Sequence, residues 1–235
     1  MNEFSRTPKV AFFLIALVFL GLAVPSPAVG LVGNYSFSVR MAQHLLLQLV
    51  VPPLVLLSLP DSALTGLEDR RTLRPIGWLL KQPVITWLLG LGAMWAWHAP
   101  ALCNAAIRNP VLHDCQTLSL LLVGTAFWWP IAGPCSRQRL PPLLGIVYLF
   151  TACLGCTILG IIITFAPPGL YLASTLPGVF NDWRFAAPDD QRIGGLLMWV
   201  PGCLIYICGI LGLLARWYGM SEAEAFPTSA PERIS

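Results

Sequence analysis

Six apolar stretches dominate the 235-residue chain. Each is long enough for a helix of about 20 residues to cross the hydrocarbon core of a bilayer. They fall near 10–29, 41–59, 76–97, 111–132, 140–165 and 193–214. In hydrocarbon every backbone polar group needs an internal partner, which a helix supplies within its own segment. The fold class expected is therefore all-α, a polytopic membrane helix bundle with about six transmembrane helices. Only 11% of the residues are charged and 56% are hydrophobic, whereas a soluble domain carries about a quarter charged residues. So little polar surface cannot coat a water-soluble core, and the lipid bilayer is the expected solvent. The net charge of +3 is spread over short loops, which leaves no basic patch for nucleic acid. Seven cysteines lie scattered, mostly in apolar runs, unlike a secreted disulfide framework.

The third stretch holds Lys81 near one end, where a long side chain can snorkel to the headgroups. The fourth opens on His113 and Asp114, so its start is expected to be wet or buried in protein. Pro52-Pro53 should kink the second helix and Pro201 the sixth. Gly90, Gly92, Gly155, Gly160, Gly194 and Gly195 should let helices approach closely. Residues 1–220 read as the integral membrane bundle and 221–235 as a polar, mobile cytoplasmic tail.

Loop charges orient this bundle. One side holds Arg6, Lys9, Arg70, Arg71, Arg74, Lys81, Arg137, Arg139, Arg216 and Arg233; the other holds Arg40, Arg108, Arg184 and Arg192. The positive-inside rule puts the first group in the cytoplasm, with an N-in, C-in topology. The first stretch also fits a signal peptide, with Lys9, an apolar run and then Ser26-Pro27-Ala28 before a cut. Cleavage after residue 28 would leave the other five helices oriented as before.

All three histidines, His44, His98 and His113, then fall at the outer face. Arg40, His44 and Gln48 are spaced i, i+4, i+8 and form one polar stripe on a helix otherwise rich in Leu and Val. Polar groups facing lipid are costly, so the stripe should face the bundle interior. It serves there either helix-to-helix hydrogen bonding or a ligand. Met41 precedes His44 by three residues and Met94 precedes His98 by four, each pair on one helix face. Thioether with imidazole suits Cu(I), a soft cation; methionine also simply fills packing gaps.

Cys153 and Cys156, at i and i+3, share a face of the fifth helix, as a transient Cu(I) dithiolate or as small apolar residues. Cys103 and Cys115 sit outside, where an oxidising compartment would permit pairing. Asp189, Asp190 and Gln191 open the last helix, where acidic side chains cap free amides and favour the helix dipole. Asp190, Gly194 and Met198 share a face, so a carboxylate and a thioether can look toward the outer cluster.

Four stretches within about residues 38 to 210 carry a family resemblance. They are Met41-Ala42-Gln43-His44-Leu45 with Pro52-Pro53, Trp97-His98-Ala99-Pro100, His113 followed by Phe127-Trp128-Trp129-Pro130, and the run Asp190-Gln191-Arg192-Ile193-Gly194-Gly195 continuing to Met198-Trp199-Val200-Pro201-Gly202. In this order and spacing the chain resembles the CtaG-type membrane assembly factors of caa3-type cytochrome c oxidase. The resemblance implies a bacterial cytoplasmic (inner) membrane protein, not an enzyme, that assists copper delivery to a haem–copper oxidase. Its expected partners are oxidase subunits and other copper chaperones, and Cu(I) is the expected cofactor. The ligand set would be His44, His98 and His113 with Met41, Met94 and Met198, bordered by Arg40, Gln48, Asp114, Asp190 and Gln191. Family members often carry a histidine where this chain has Arg40 and another where it has Thr117. A copper transport or resistance protein, a b-type haem protein and a metal-free scaffold for oxidase subunits are the competing readings.

Overall fold

The computed structural model describes residues 6–24, 36–60, 74–135, 139–171 and 187–225. Among them lie eight helices and no strand. They are α1 (Arg6–Ala23), α2 (Phe37–Ser58), α3 (Arg74–Leu80), α4 (Pro83–His98), α5 (Pro100–Arg108), α6 (Pro110–Ala132), α7 (Pro142–Phe165) and α8 (Ala187–Ala225). Four of them, α2, α6, α7 and α8, are long and apolar enough to cross a membrane. The apolar part of α1, Pro8–Ala23, is shorter. The proposed signal-peptide cut at residues 26–28, Arg70, Arg71, Arg137, Arg184 and Arg233 lie outside the described residues.

Prolines set most helix starts. Pro83, Pro100, Pro110 and Pro142 each occupy a first turn, where the missing N–H costs no hydrogen bond and the ring pre-sets φ. Pro83 also divides the third apolar stretch. Lys81 and Gln82 leave the helix because a residue before proline avoids the α region, and Gln82 sits at φ −100°, ψ 91°. Lys81 therefore lies in the turn between two helices and not within one long span. The segment after His98 is itself helical through Arg108. At the far end the last helix runs to Ala225, past Ser221, and residues 226–235 lie outside the description.

Pro52 and Pro53 act on α2 in an unexpected way. The turn before them, Leu46–Val50, winds as a π-helix. A proline ring clashes with the carbonyl four residues back and offers it no N–H, so the carbonyls of Gln48 and Leu49 lose their usual partners. Widening the helix by one residue is a known way to absorb this, and such turns are frequent at functional sites.

Sequence shows in α7 why the bundle sits in lipid. Its buried face is Gly145, Tyr148, Leu149, Ala152, Cys156, Leu159, Gly160 and Ile163, while Leu144, Val147, Leu154, Ile158 and Ile162 are exposed. Both faces are apolar, which marks a helix solvated by hydrocarbon on its outside. The α7–α8 seam is the most extensive helix contact in the bundle. A side chain at Gly160 would meet Trp199, and one at Gly195 would meet Thr164 and the Gly160 carbonyl. Gly90 similarly admits the Phe127 ring of α6. Gly92, expected at a contact, faces open space.

Helix α2 lies between α8, which meets its first half, and α6, which meets its second. Gly124 of α6 makes the second contact possible, because a Cβ there would stand 2.6 Å from the Gln48 carbonyl oxygen. Overpacking against backbone costs about 1–3 kcal/mol, so Gly124→Ala should lower thermal stability in detergent. Gly92→Ala, in open space, should leave it unchanged or raise it slightly. Equal melting of the two variants would contradict this account of the α2–α6 contact.

Candidate functional site

The Arg40–His44–Gln48 stripe faces inward, with each residue no more than 5% exposed. Gln48 Nε2 donates to the Gly90 carbonyl at 2.7 Å and so ties α2 to α4. Arg40 Nη2 donates to Gln116 Oε1 of α6 at 3.3 Å. Its Nε and the Gln116 Nε2 are buried without a hydrogen-bond partner among the described residues. Between these two anchors lies His44.

The ring of His44 meets that of His98 edge-on, with centroids 5.2 Å apart. His98 closes α4, and its Nδ1 lies 2.6 Å from the Met94 carbonyl oxygen one turn back. A carbonyl can only accept, so Nδ1 carries the hydrogen and Nε2 keeps a bare lone pair. That lone pair faces Nδ1 of His44 at 3.4 Å. The Tyr171 hydroxyl donates to the His98 carbonyl at 2.9 Å and braces the end of the helix. The two imidazoles, with Met94 and Met198, line a cavity completed by Leu45, Gln48 and Leu49. The cavity volume is about 10 Å³, about that of one water-sized sphere.

Four of the expected ligands are thus brought together from three helices: His44 on α2, His98 and Met94 on α4, Met198 on α8. Two are not. Met41 is fully buried but packs toward Gly194. His113 is half-buried at the start of α6 and does not line the cavity. Among the described residues no group of three or more His, Cys, Asp or Glu side chains gathers as a metal site. Asp114 is exposed.

Asp190 and Gln191 turn away from the cluster and tie helix ends together. The Asp190 carboxylate accepts from the Phe37 amide (2.6 Å), the Ser38 amide (3.1 Å) and both the Ser36 and Ser38 hydroxyls. It therefore caps α2, a helix more than 150 residues away in sequence. Gln191 Nε2 donates to the carbonyls of Ile163 and Ala166, the last turn of α7. Gly194, one turn below Asp190, leaves room for the Phe37 ring and Met41.

The family model described as cytochrome c oxidase caa3 assembly factor (Caa3_CtaG) matches residues 3–219. The chain belongs to this family. Among curated proteins it is similar to Uncharacterized protein ML1998 of Mycobacterium leprae (strain TN), at 30% identity over 86% of this chain and 32% of that protein. Uncharacterized protein Mb0105 of Mycobacterium bovis is 29% identical over 79% of this chain and 30% of its own length. The chain spans about a third of the length of these relatives. No solved structure matches it significantly.

In this caa3 assembly factor family member, two residues of the site escaped the sequence reading. Gln116 and Tyr171 hold Arg40 and His98. Gln116 carried a usable signal, an amide in the middle of an apolar span that must find a partner in protein. Burial pushes the Cys103 thiol above its ordinary value, while the nearby Arg40 guanidinium pulls the other way. Cys115 is exposed and Cys103 buried, and both are free.

Hydrogen bonds to a charged group are worth about 1.5–3 kcal/mol. Asp190→Asn should therefore lower the thermal stability of the purified protein by an amount of that order. Metal content should not change, since the carboxylate serves the α2 terminus. A variant of normal stability that lost metal would reverse the assignment.

Proposed function

We propose that this chain handles Cu(I) during assembly of a haem–copper oxidase, holding the ion between His44 and His98 with Met94 and Met198 beside it. The single observation that carries the reading is this donor set. Two neutral imidazoles, one with its tautomer fixed by the Met94 carbonyl, share a small cavity with two thioethers inside a membrane bundle. Thioether and imidazole donors suit a soft cuprous ion. Membership in an oxidase assembly family supplies the context. The role is that of a carrier and not of a catalyst, with oxidase subunits and other copper chaperones as partners.

The topology that goes with this reading has six spans, both termini in the cytoplasm, and the cavity toward the outer face of the bacterial inner membrane. Four long apolar helices support it, together with the charge asymmetry of the loops. Reporter fusions at about residues 105 and 175 should show activity on the exported side, and fusions near 70 and 137 cytoplasmic activity. The reverse pattern would move the cavity to the cytoplasmic side.

A metal-free scaffold is the second reading, and Arg40 favours it. Its guanidinium is 4% exposed, one helical turn from His44, with no ion-pair partner among the described residues, and a fixed positive charge there opposes a bound cation. His44→Ala and His98→Ala decide between the two. Under the copper reading each variant reaches the membrane at normal level, assembles less oxidase, and loses Cu(I) affinity. The loss should exceed the roughly 10- to 100-fold cost of removing an outer-shell partner. His113→Ala should cost less than either. Negligible Cu(I) binding by wild type, with oxidase assembly intact in both variants, would leave the scaffold.

A further inference from the structure

The α7–α8 seam carries a second soft-donor cluster, separate from the histidine cavity. Cys153 shares a face of its own helix with Cys156, read either as a transient dithiolate or as two small apolar residues. Its Sγ instead lies 3.4 Å from Sγ of Cys203 across the seam. The hydroxyl of Thr157 sits 3.0 Å from the same Cys203 sulfur. Other threonines of the bundle behave differently. Thr125, Thr151 and Thr164 donate to the carbonyl one turn back on their own helix, the usual way to satisfy a hydroxyl in hydrocarbon. Thr157 instead has its hydroxyl against sulfur.

We propose that Cys153 and Cys203, with Thr157, form a two-coordinate site for a soft monovalent cation of the Cu(I) class. Thiolate sulfur selects such ions. Zinc takes four ligands, and no group of three or more His, Cys, Asp or Glu residues gathers among the described residues. A d10 monovalent ion is satisfied by two sulfurs. Charge balance fits the surroundings as well. Binding displaces one thiol proton, from Cys203, to the aqueous phase, while Cys153 remains a neutral second donor. The centre then carries no net charge, which is the condition for burial at low dielectric. The Thr157 hydroxyl, 3.0 Å from the Cys203 sulfur, is placed to donate to that sulfur once the ion has displaced its proton.

Position adds a route. Cys153 and Cys203 are half-buried, and Cys156 is fully buried. The Cys156 thiol donates to the Met198 carbonyl at 3.4 Å, and Met198 lines the His44–His98 cavity. Soft side chains thus lead from the edge of the bundle to its interior. As a Cu(I) site the thiol pair stands without the histidine cavity; as a supply to that cavity it rests on the proposed function.

The test is an anaerobic Cu(I) titration of the full-length purified protein against a chromophoric chelator, with thermal melting of every variant as the fold control. Wild type should take up one more Cu(I) than Cys153→Ser/Cys203→Ser, and that extra ion should persist in His44→Ala/His98→Ala. Thr157→Val should keep the stoichiometry and weaken the thiol site by roughly tenfold, the worth of one charge-assisted hydrogen bond. Cu(I) should also protect Cys153 and Cys203, but not the exposed Cys208, from a membrane-permeant maleimide. Equal uptake by wild type and the cysteine variant, or equal alkylation with and without Cu(I), overturns the thiol site. Uptake lost only in the histidine variant overturns it too, yet leaves the histidine cavity standing. Uptake lost only in the cysteine variant supports the thiol site and removes the cavity.

Discussion

A buried carboxylate holds this bundle in register. Asp190 is 5% exposed, and a lone ion at that depth would be prohibitively costly. Four donors from residues 36–38 satisfy it, two of them the orphan amides that begin α2. The bond set therefore solves two problems together, since an uncapped helix start in hydrocarbon is as unfavourable as an unpaired anion. Its neighbour Gln191 performs the complementary task for the carbonyls that end α7. Two adjacent residues thereby fix α8 against the start of one helix and the end of another. Everything farther along α2 inherits its depth from that clamp, including the level at which His44 meets Met198.

The other end of the polar stripe is fixed by backbone. Pro52 and Pro53 force the π-turn at Leu46–Val50, and the turn carries Gln48 to the Gly90 carbonyl while its own backbone rests on Gly124. Gly90 in turn lies against Phe127. Helices α2, α4 and α6 are thus joined through one amide and two glycines. His44 sits midway between this knot and the Asp190 clamp, with no freedom to slide along either neighbour. Both constraints set the position from which His44 Nδ1 approaches His98 Nε2 at 3.4 Å.

How much of this was legible in the sequence depends on the range of the interaction. Apolar helices and the inward-facing stripe follow from local patterns; four of the six expected spans appear as long apolar helices, the first is shorter and the third is broken at Gln82. Gly160, Gly194 and Gly195 announced close approach, but Gly92 carried the same signal and faces open space. Pairings across helices were not legible. Cys153 has Cys156 on its own helix at a spacing that looks like a motif, yet its partner is 50 residues away. Asp190 stands at the start of its own helix, the natural place for a cap, and caps another. His113 and Met41 carry the right donor atoms at the right end of the bundle, but helix rotation takes them away from the cavity. Rotation and partner choice are set by packing between elements, which one sequence does not display.

Arg40 sharpens the chemical question. A buried guanidinium held by one amide at 3.3 Å is under-satisfied, and it stands one helical turn from the imidazole pair. Neutral ligands such as imidazole and thioether do not cancel the charge of a cation, so a cuprous ion between His44 and His98 would be repelled by Arg40 in a medium that screens less than water. For a permanent cofactor this arrangement is a defect. For cargo it is an advantage, because transfer to an oxidase subunit requires the donor to hold its ion less tightly than the acceptor. The thiol pair at the α7–α8 seam lies outside this conflict, since a thiolate neutralises the ion it binds. If both sites carry Cu(I), the fall in ligand charge from the Cys203 sulfur to the histidine pair makes the interior position the weaker one, and the ion is better placed there for release.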